Sequence, residues 1–292
     1  MIEIEINTAI AERARGGERL TAAELAELDA SDVLSLGMLA DEIRRTRVGD
    51  AVSYVRVLDI AAGEPLDDAL RARAASCGEV RLSLPADTLA GTVDLVQRLR
   101  TVLGAGVRLT GFSLADIASR SWGPLGEALA ALKAAGLDAI AEAPVDLVTP
   151  DQVAALREVG LGLGTLSVQR LGDGGRLAVL EQARALLEAN PHITAFAPLA
   201  REQSVATPTT GYGDVRLVAL ARIALPEVRT VQVDWQQYGP KLAQVALTFG
   251  ANHLDRVAPT ADPALGWRRA SVEEVRRNIE AAGFRPVEQG PA

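Results

Sequence analysis

The chain has 292 residues, 48% of them hydrophobic, with 30 Lys and Arg against 38 Asp and Glu and a formal net charge of −8. That is apolar material for one large core of α/β-barrel size, and the acidic balance, with Arg222, Arg229, Arg268 and Arg269 scattered rather than massed, argues against a nucleic-acid partner. Cys77 is the only cysteine, which excludes intrachain disulfides and any multi-thiolate metal or cluster site supplied by this chain alone.

The start, Met1-Ile-Glu-Ile-Glu-Ile, alternates apolar and acidic residues and lacks the basic start and apolar run of a secretion signal. No stretch approaches the roughly 18 apolar residues of a membrane span. A cytoplasmic location and no membrane partner are expected. Residues 1–50 read as a helical extension that packs on, or plugs, one end of the main fold. Thr21-Ala-Ala-Glu24 is a capping box, and Val33 to Arg47 carries apolar residues at helical spacing.

From about residue 52 short β-rich runs alternate with amphipathic helices. The strands predicted are Ser53–Ile60, Glu79–Leu84, Val107–Gly111, Asp138–Glu142, Leu161–Val168, Ile193–Ala197, Thr230–Trp235 and a weaker one near Ala251. The helices between them are clearest over Leu89–Leu103, Pro124–Ala135, Pro150–Val159, Arg176–Ala189 and Gly213–Ile223. Thr149-Pro-Asp-Gln152 supplies an N-cap, a proline at the first helical position and a capping-box glutamine. Ser271-Val-Glu-Glu274 opens a last helix, and Gly283 ends it.

Strand–helix alternation over eight repeats predicts a (β/α)8 barrel, closed or nearly closed, over residues 51–270, with residues 271–292 as a helix and tail packed on it. A doubly wound open sheet is the alternative. No glycine-rich turn follows the first strand, so a dinucleotide fold has no support. Thr207-Pro-Thr-Thr-Gly-Tyr-Gly213 reads as a functional loop.

Ligands of a barrel sit at the C-terminal ends of its strands. Glu142, Asp146, Asp234 and Asp255 are placed there, as acid–base or cation-holding groups or as ordinary caps and rim ion pairs. His253 is a candidate proton-transfer group beside Asn252 and Asp255, or a hydrogen-bonded rim residue. His192, at a strand entrance, lies on the wrong face for chemistry. Trp235-Gln-Gln-Tyr238 stacks on a planar ligand or closes the top of the core. Cys77 reads as a small buried residue.

The stretch Leu220 to Asp255, with its Trp-containing strand, Gly239-Pro-Lys and Phe249-Gly-Ala-Asn-His253, closely resembles a group of radical SAM enzymes. That group holds aminofutalosine synthase and cyclic dehypoxanthinyl futalosine synthase of menaquinone biosynthesis and the related deazaflavin synthase subunit. Thr110-Gly-Phe-Ser113, Leu132-Lys-Ala-Ala-Gly-Leu-Asp138, Gly49-Asp-Ala-Val-Ser-Tyr54 and Ala282-Gly-Phe-Arg-Pro286 extend the likeness over nearly the whole chain. The group's Cys-x-x-x-Cys-x-x-Cys after the first strand is missing: the chain runs from Leu58 to Asp68 straight into a helix. Its glycine pair after the second strand is Leu84-Pro85 here, and its triple glycine after the fourth is Glu142-Ala-Pro144.

The resemblance therefore implies a cluster-free barrel with no cofactor of its own. It implies a pseudoenzyme or accessory ligand-binding protein associated with menaquinone biosynthesis, taking a futalosine-like or aromatic carboxylate ligand. Phe112, Ser113, Asp146, Trp235, Gln237 and Asn252 are the expected ligand contacts. The alternatives are a non-radical enzyme using His253, Asp255 and Asp234, and a structural subunit that dimerises with itself or with a cluster-bearing homologous barrel.

Overall fold

A computed structural model describes residues 6–61, 63–202, 210–259 and 272–290. Three helices come first: α1 (Thr8–Arg15), α2 (Ala22–Ala30) and α3 (Val33–Val48). Each begins on a side chain that satisfies an orphan amide, from Asn7, Thr21 and Asp32. At Thr21 the box is reciprocal, with the Thr21 amide donating to Glu24 Oε2 at 2.7 Å and the Glu24 amide to Thr21 Oγ1 at 3.3 Å.

The repeat follows as β1 (Ala51–Ile60), α4 (Asp68–Ala74), β2 (Glu79–Leu82), α5 (Leu89–Leu103), β3 (Arg108–Ser113), α6 (Leu114–Ser119) and α7 (Leu125–Ala134). It continues as β4 (Ala139–Pro144), α8 (Pro150–Val159), β5 (Gly162–Arg170), α9 (Gly175–Ala189), β6 (Ala195–Glu202) and α10 (Gly211–Ala224). It closes with β7 (Thr230–Asp234), α11 (Trp235–Leu247), β8 (His253–Val257), α12 (Val272–Ala281) and β9 (Arg285–Gln289). Thr207 to Thr209 of the expected functional loop, and the Ser271 cap, lie outside the described residues.

All pairings are parallel, β1 to β8 run in sequence order, and β1 pairs with both β8 and β2. The eight strands thus close into a barrel ringed by helices, the TIM-type α/β fold that the alternation predicts. A ninth strand modifies the closure. β1 is ten residues long and shares one edge between two neighbours: Ala51–Val55 pair with β9, and Val57–Ile60 pair with β2. The expected tail is therefore part of the sheet. Gly78, just before β2, lets the end of β9 come in; a Cβ there would stand 2.4 Å from the Gln289 carbonyl oxygen.

The N-terminal helices lie along the outside of the barrel rather than across an end. α3 packs on α10, and α2 on α9 and α10. Contact is close enough that a Cβ on Gly37 would meet the Phe249 ring at 2.6 Å. No helix among the described residues is long and apolar enough to cross a membrane.

Candidate functional site at the mouth of the barrel

Side chains alternate along each strand, so every second residue faces the barrel axis. On β2 this aims Glu79 and Arg81 inward, and on β8 His253 and Asp255. Arg81 grips Asp255 at two points, Nη1 to Oδ2 at 2.9 Å and Nη2 to Oδ1 at 3.0 Å, and its Nε donates to Glu79 Oε1 at 2.7 Å. Glu79 also accepts from the Thr110 hydroxyl at 2.6 Å. Burial by itself would lower the Arg81 pKa; the two carboxylates more than offset it and hold the guanidinium well above its ordinary value. Burial would likewise raise the Asp255 carboxyl, but the Arg81 charge and hydrogen bonds drive it well below the usual range.

Nearer the C-terminal ends of the strands stand Arg201 from β6 and Arg256 from β8. Arg201 donates to Glu142 Oε2 at 2.9 Å and to Asp234 Oδ2 at 2.8 Å. Arg256, held at a φ of 54°, donates to Asp59 Oδ2 at 2.9 Å and to Asp234 Oδ2 at 3.3 Å. Asp234 also caps α11 by accepting the Gln237 amide at 2.9 Å. Of these groups Arg201, Arg256, Glu142, Asp59 and Gln237 line a cavity of about 490 Å³. Phe112, Ser113, Asp116, Gln169, Leu84 and Leu147 are among the residues around it. Phe112 is buried at a φ of 65°, a left-handed conformation that a bulky side chain rarely adopts. Asp116 opens α6 and has its pKa raised, chiefly by burial and further by Glu142, against the pull of Arg120 and a backbone bond from Ser113.

Of the expected ligand contacts, Phe112, Ser113 and Gln237 line this cavity. Gln237 is fastened by its amide to the carbonyls of Ala200 at 3.1 Å and Arg201 at 2.9 Å. The other three are elsewhere. Asp146 accepts the amides of Gln169 at 2.8 Å and Arg170 at 2.9 Å, pinning the loop after β4 to β5. Trp235 is wholly buried in the core. Asn252 precedes β8 and accepts from Arg222 at 2.7 Å and from the Val231 amide at 2.9 Å.

The pocket expected near Trp235, Asn252 and His253 is therefore not formed. The reason is register: β8 begins at His253 instead of ending there, so Asn252 and His253 sit at the N-terminal end of the strand. His253 Nδ1 is 2.8 Å from Ser53 Oγ, in a lower space of about 140 Å³ that Glu79, Asp255 and Gln289 also line. Burial, with Arg81 and Arg108, lowers its pKa against the opposing pull of Asp255 and Glu79. Asp234 and Asp255 are held by arginines. None of these three is placed as an acid–base group for a ligand at the mouth.

Arg81, Arg201 and Arg256 were not singled out by the sequence reading. Their signal was available for Arg81: an arginine alternating with Glu79 inside an otherwise apolar strand cannot face the helix layer.

Residues 193–289 match the family model of the CofH/MqnC C-terminal region. The 5-amino-6-(D-ribitylamino)uracil--L-tyrosine 4-hydroxyphenyl transferase of Methanosphaerula palustris is 29% identical over 304 residues, covering 82% of this chain and 83% of that protein. Its namesake from Archaeoglobus fulgidus is 35% identical over 88 residues, 28% of this chain and 25% of that one. Among solved structures, methylornithine synthase (PylB) superposes with a TM-score of 0.69 at 14% identity, over 96% of this chain and 98% of its own. The FeFe-hydrogenase maturase HydG from Carboxydothermus hydrogenoformans gives 0.66 at 15%, over 96% and 78%. At such identities the two structures show a shared fold. The curated names are those of a ribitylaminouracil–tyrosine transferase, so the menaquinone branch of the resemblance is not carried by these relatives.

The group that the resemblance brings with it, a [4Fe–4S] cluster with S-adenosylmethionine, does not fit the residues present. Cys77 lies between α4 and β2, at the N-terminal side of the barrel, fully buried, with its thiol 3.3 Å from the Arg73 carbonyl and its pKa raised by that burial. The connection from β1 to α4, residues 61–67, contains no thiol. Leu84, 59% exposed, puts a side chain at the cavity where the family has glycine. Among the described residues no group of three His, Cys, Asp or Glu is arranged to hold a metal ion. Residues 193–289 are thus similar to the CofH/MqnC C-terminal region, and the chain over most of its length is similar to a ribitylaminouracil–tyrosine transferase, on a TIM-type barrel.

Proposed function

We propose that this protein is a cluster-free member of the radical-SAM-like barrels that acts as a pseudoenzyme or accessory ligand-binding protein, taking a small organic molecule at the barrel mouth. One observation carries the reading. After β1, where the family resemblance implies three thiolates, runs a short cysteine-free connection, and the chain's one thiol is buried at the opposite end. A cluster with one open iron needs three thiolates, and one cannot substitute.

What remains at the mouth is a cavity of about 490 Å³, within the size range of small-molecule sites, lined mainly by polar and charged side chains with Leu82, Leu84, Phe112 and Leu147 among its apolar ones. The relatives' names make ribitylaminouracil- and tyrosine-type molecules the first compounds to try, ahead of futalosine derivatives. The test is iron and sulfide analysis of protein reconstituted under anaerobic conditions, with calorimetry against S-adenosylmethionine. The expected result is neither bound iron nor bound S-adenosylmethionine. Stoichiometric iron and sulfide would overturn the reading.

A further inference from the structure

At the N-terminal end of the barrel, opposite the mouth cavity, lies the lower space of about 140 Å³. Barrel interiors are ordinarily filled by layers of bulky branched side chains. Here β4 and β6 send in only Ala141 and Ala195, while β2, β3, β7 and β8 send in Glu79, Arg108, Gln232 and His253. Strand register sets these four side by side in pairs, Glu79 with Arg108 and Gln232 with His253.

Three of the four are buried yet have donors or acceptors that meet no protein group. Gln232 is 7% exposed, and its side-chain amide, facing the space, bonds to nothing among the described residues. Glu79 engages Arg81 and Thr110 through Oε1, leaving Oε2. His253 meets Ser53 through Nδ1, leaving Nε2. A buried amide with neither end engaged is costly unless something beside it completes the bonds.

Charge and size narrow what that occupant is. Glu79 and Asp255 face Arg81 and Arg108, two carboxylates against two guanidinium groups, and burial favours the neutral His253 ring, so the lining is balanced. An ion of either sign would lose hydration there without gaining a surplus counter-charge. The volume is that of about four or five waters at roughly 30 Å³ each. Val55, Ala141 and Ala195 add apolar wall, against which water makes no hydrogen bond. Arg108 and Gln289 on the lining are exposed, so the space reaches solvent at this end.

We propose that the lower space is a binding site for a small uncharged carboxamide or urea-type molecule, whose planar amide pairs with the Gln232 amide, donor to acceptor and acceptor to donor, and gives a further N–H to Glu79 Oε2. A methyl-sized remainder rests on the alanine wall.

The test is a titration of histidine-labelled full chain followed by heteronuclear NMR, with acetamide and its near-isosteres acetone, acetate and acetamidinium. The chain has two histidines, and the exposed His192 is the internal control. Acetamide shifts the His253 ring signals saturably and binds about tenfold tighter than acetone, which lacks the N–H donors. Acetate and acetamidinium bind more weakly than acetamide. Gln232→Met, which keeps the volume and removes the amide, weakens acetamide about tenfold and leaves acetone unchanged, with folding checked by circular dichroism. If that variant unfolds, the wild-type ranking of the four compounds decides alone. Acetone equal to acetamide, or tighter binding of either ion, overturns the carboxamide assignment. No saturable shift with any of the four overturns the site and assigns the space to water. Neither outcome bears on the mouth, because His253 reports from the opposite end of the barrel.

Discussion

Arg81 and Asp255 reach behind β1 to form a two-point ion pair at 2.9 and 3.0 Å between strands that are not neighbours in the sheet. Asp255 is buried and Arg81 only 15% exposed, so the pair is largely shielded from water. Asp255→Asn leaves the Arg81 charge short of a counter-ion in the barrel interior. We expect a loss of about 3–5 kcal/mol, the usual cost of breaking one side of a buried pair. Urea unfolding of the two proteins measures it; a difference below 1 kcal/mol would mean that water already reaches the pair.

The same carboxylate sets an acid limit. Its folded pKa lies below the unfolded value of roughly 3.9. The unfolded chain therefore binds the proton first, and this contribution is complete above that pH and is lost as pH falls toward the folded value. A melting-temperature profile from pH 6 to pH 2 should fall more shallowly below about pH 4 in Asp255→Asn than in wild type.

His253 acts in a separate window. Burial lowers its folded pKa below the unfolded value of about 6.5. The neutral ring is the folded form, so stability is full above about pH 6.5 and declines as the unfolded chain takes up its proton on acidification. His253→Gln, which keeps a partner for Ser53, should remove the slope between about pH 6.5 and pH 5 and leave the carboxylate-driven fall at lower pH intact. An unchanged slope would show that His253 does not titrate between the two states.

The thiol of Cys77 should be inert in the folded protein. It is buried and donates to a backbone carbonyl, and its raised pKa keeps it protonated. Reaction with Ellman's reagent is expected to follow global unfolding, with one thiol released per chain in denaturant and none in native buffer. Prompt native labelling would show that the turn before β2 opens locally.

Gly78→Ala tests how the ninth strand docks. The new methyl would stand 2.4 Å from a backbone oxygen of Gln289, which cannot swing aside as a side-chain tip can. A cost of about 1–3 kcal/mol is expected. Hydrogen exchange should show the loss concentrated at Arg285–Gln289 and at Ala51–Val55 opposite.

The barrel was legible because its signals are local. Thr149-Pro150 and Gln152 delimit α8 as expected, and the alternation of apolar strand and amphipathic helix survives intact. Three features were not. β9 contains Pro286, which argues against a strand unless the strand is an edge, as this one is. α11 is two helical pieces joined across a kink at Gly239-Pro240, with Gly239 at a φ of 73°, a break that the sequence analysis does not place. The site was the least legible, because its ion pairs join residues far apart in sequence, as 174 positions separate Arg81 from Asp255. Glu142, Asp234 and Asp255 were visible as acids; which cations they would meet was not.

Sharing one edge of β1 between its last and its second strand also constrains how the molecule is made. A ribosome releases Ala51–Val55 long before their hydrogen-bonding partner, Arg285–Gln289. Until then the lower seam between β1 and β2 stays open, and the nascent chain carries an unpaired strand edge. Completion of the barrel thereby waits for residues 285–289 to emerge.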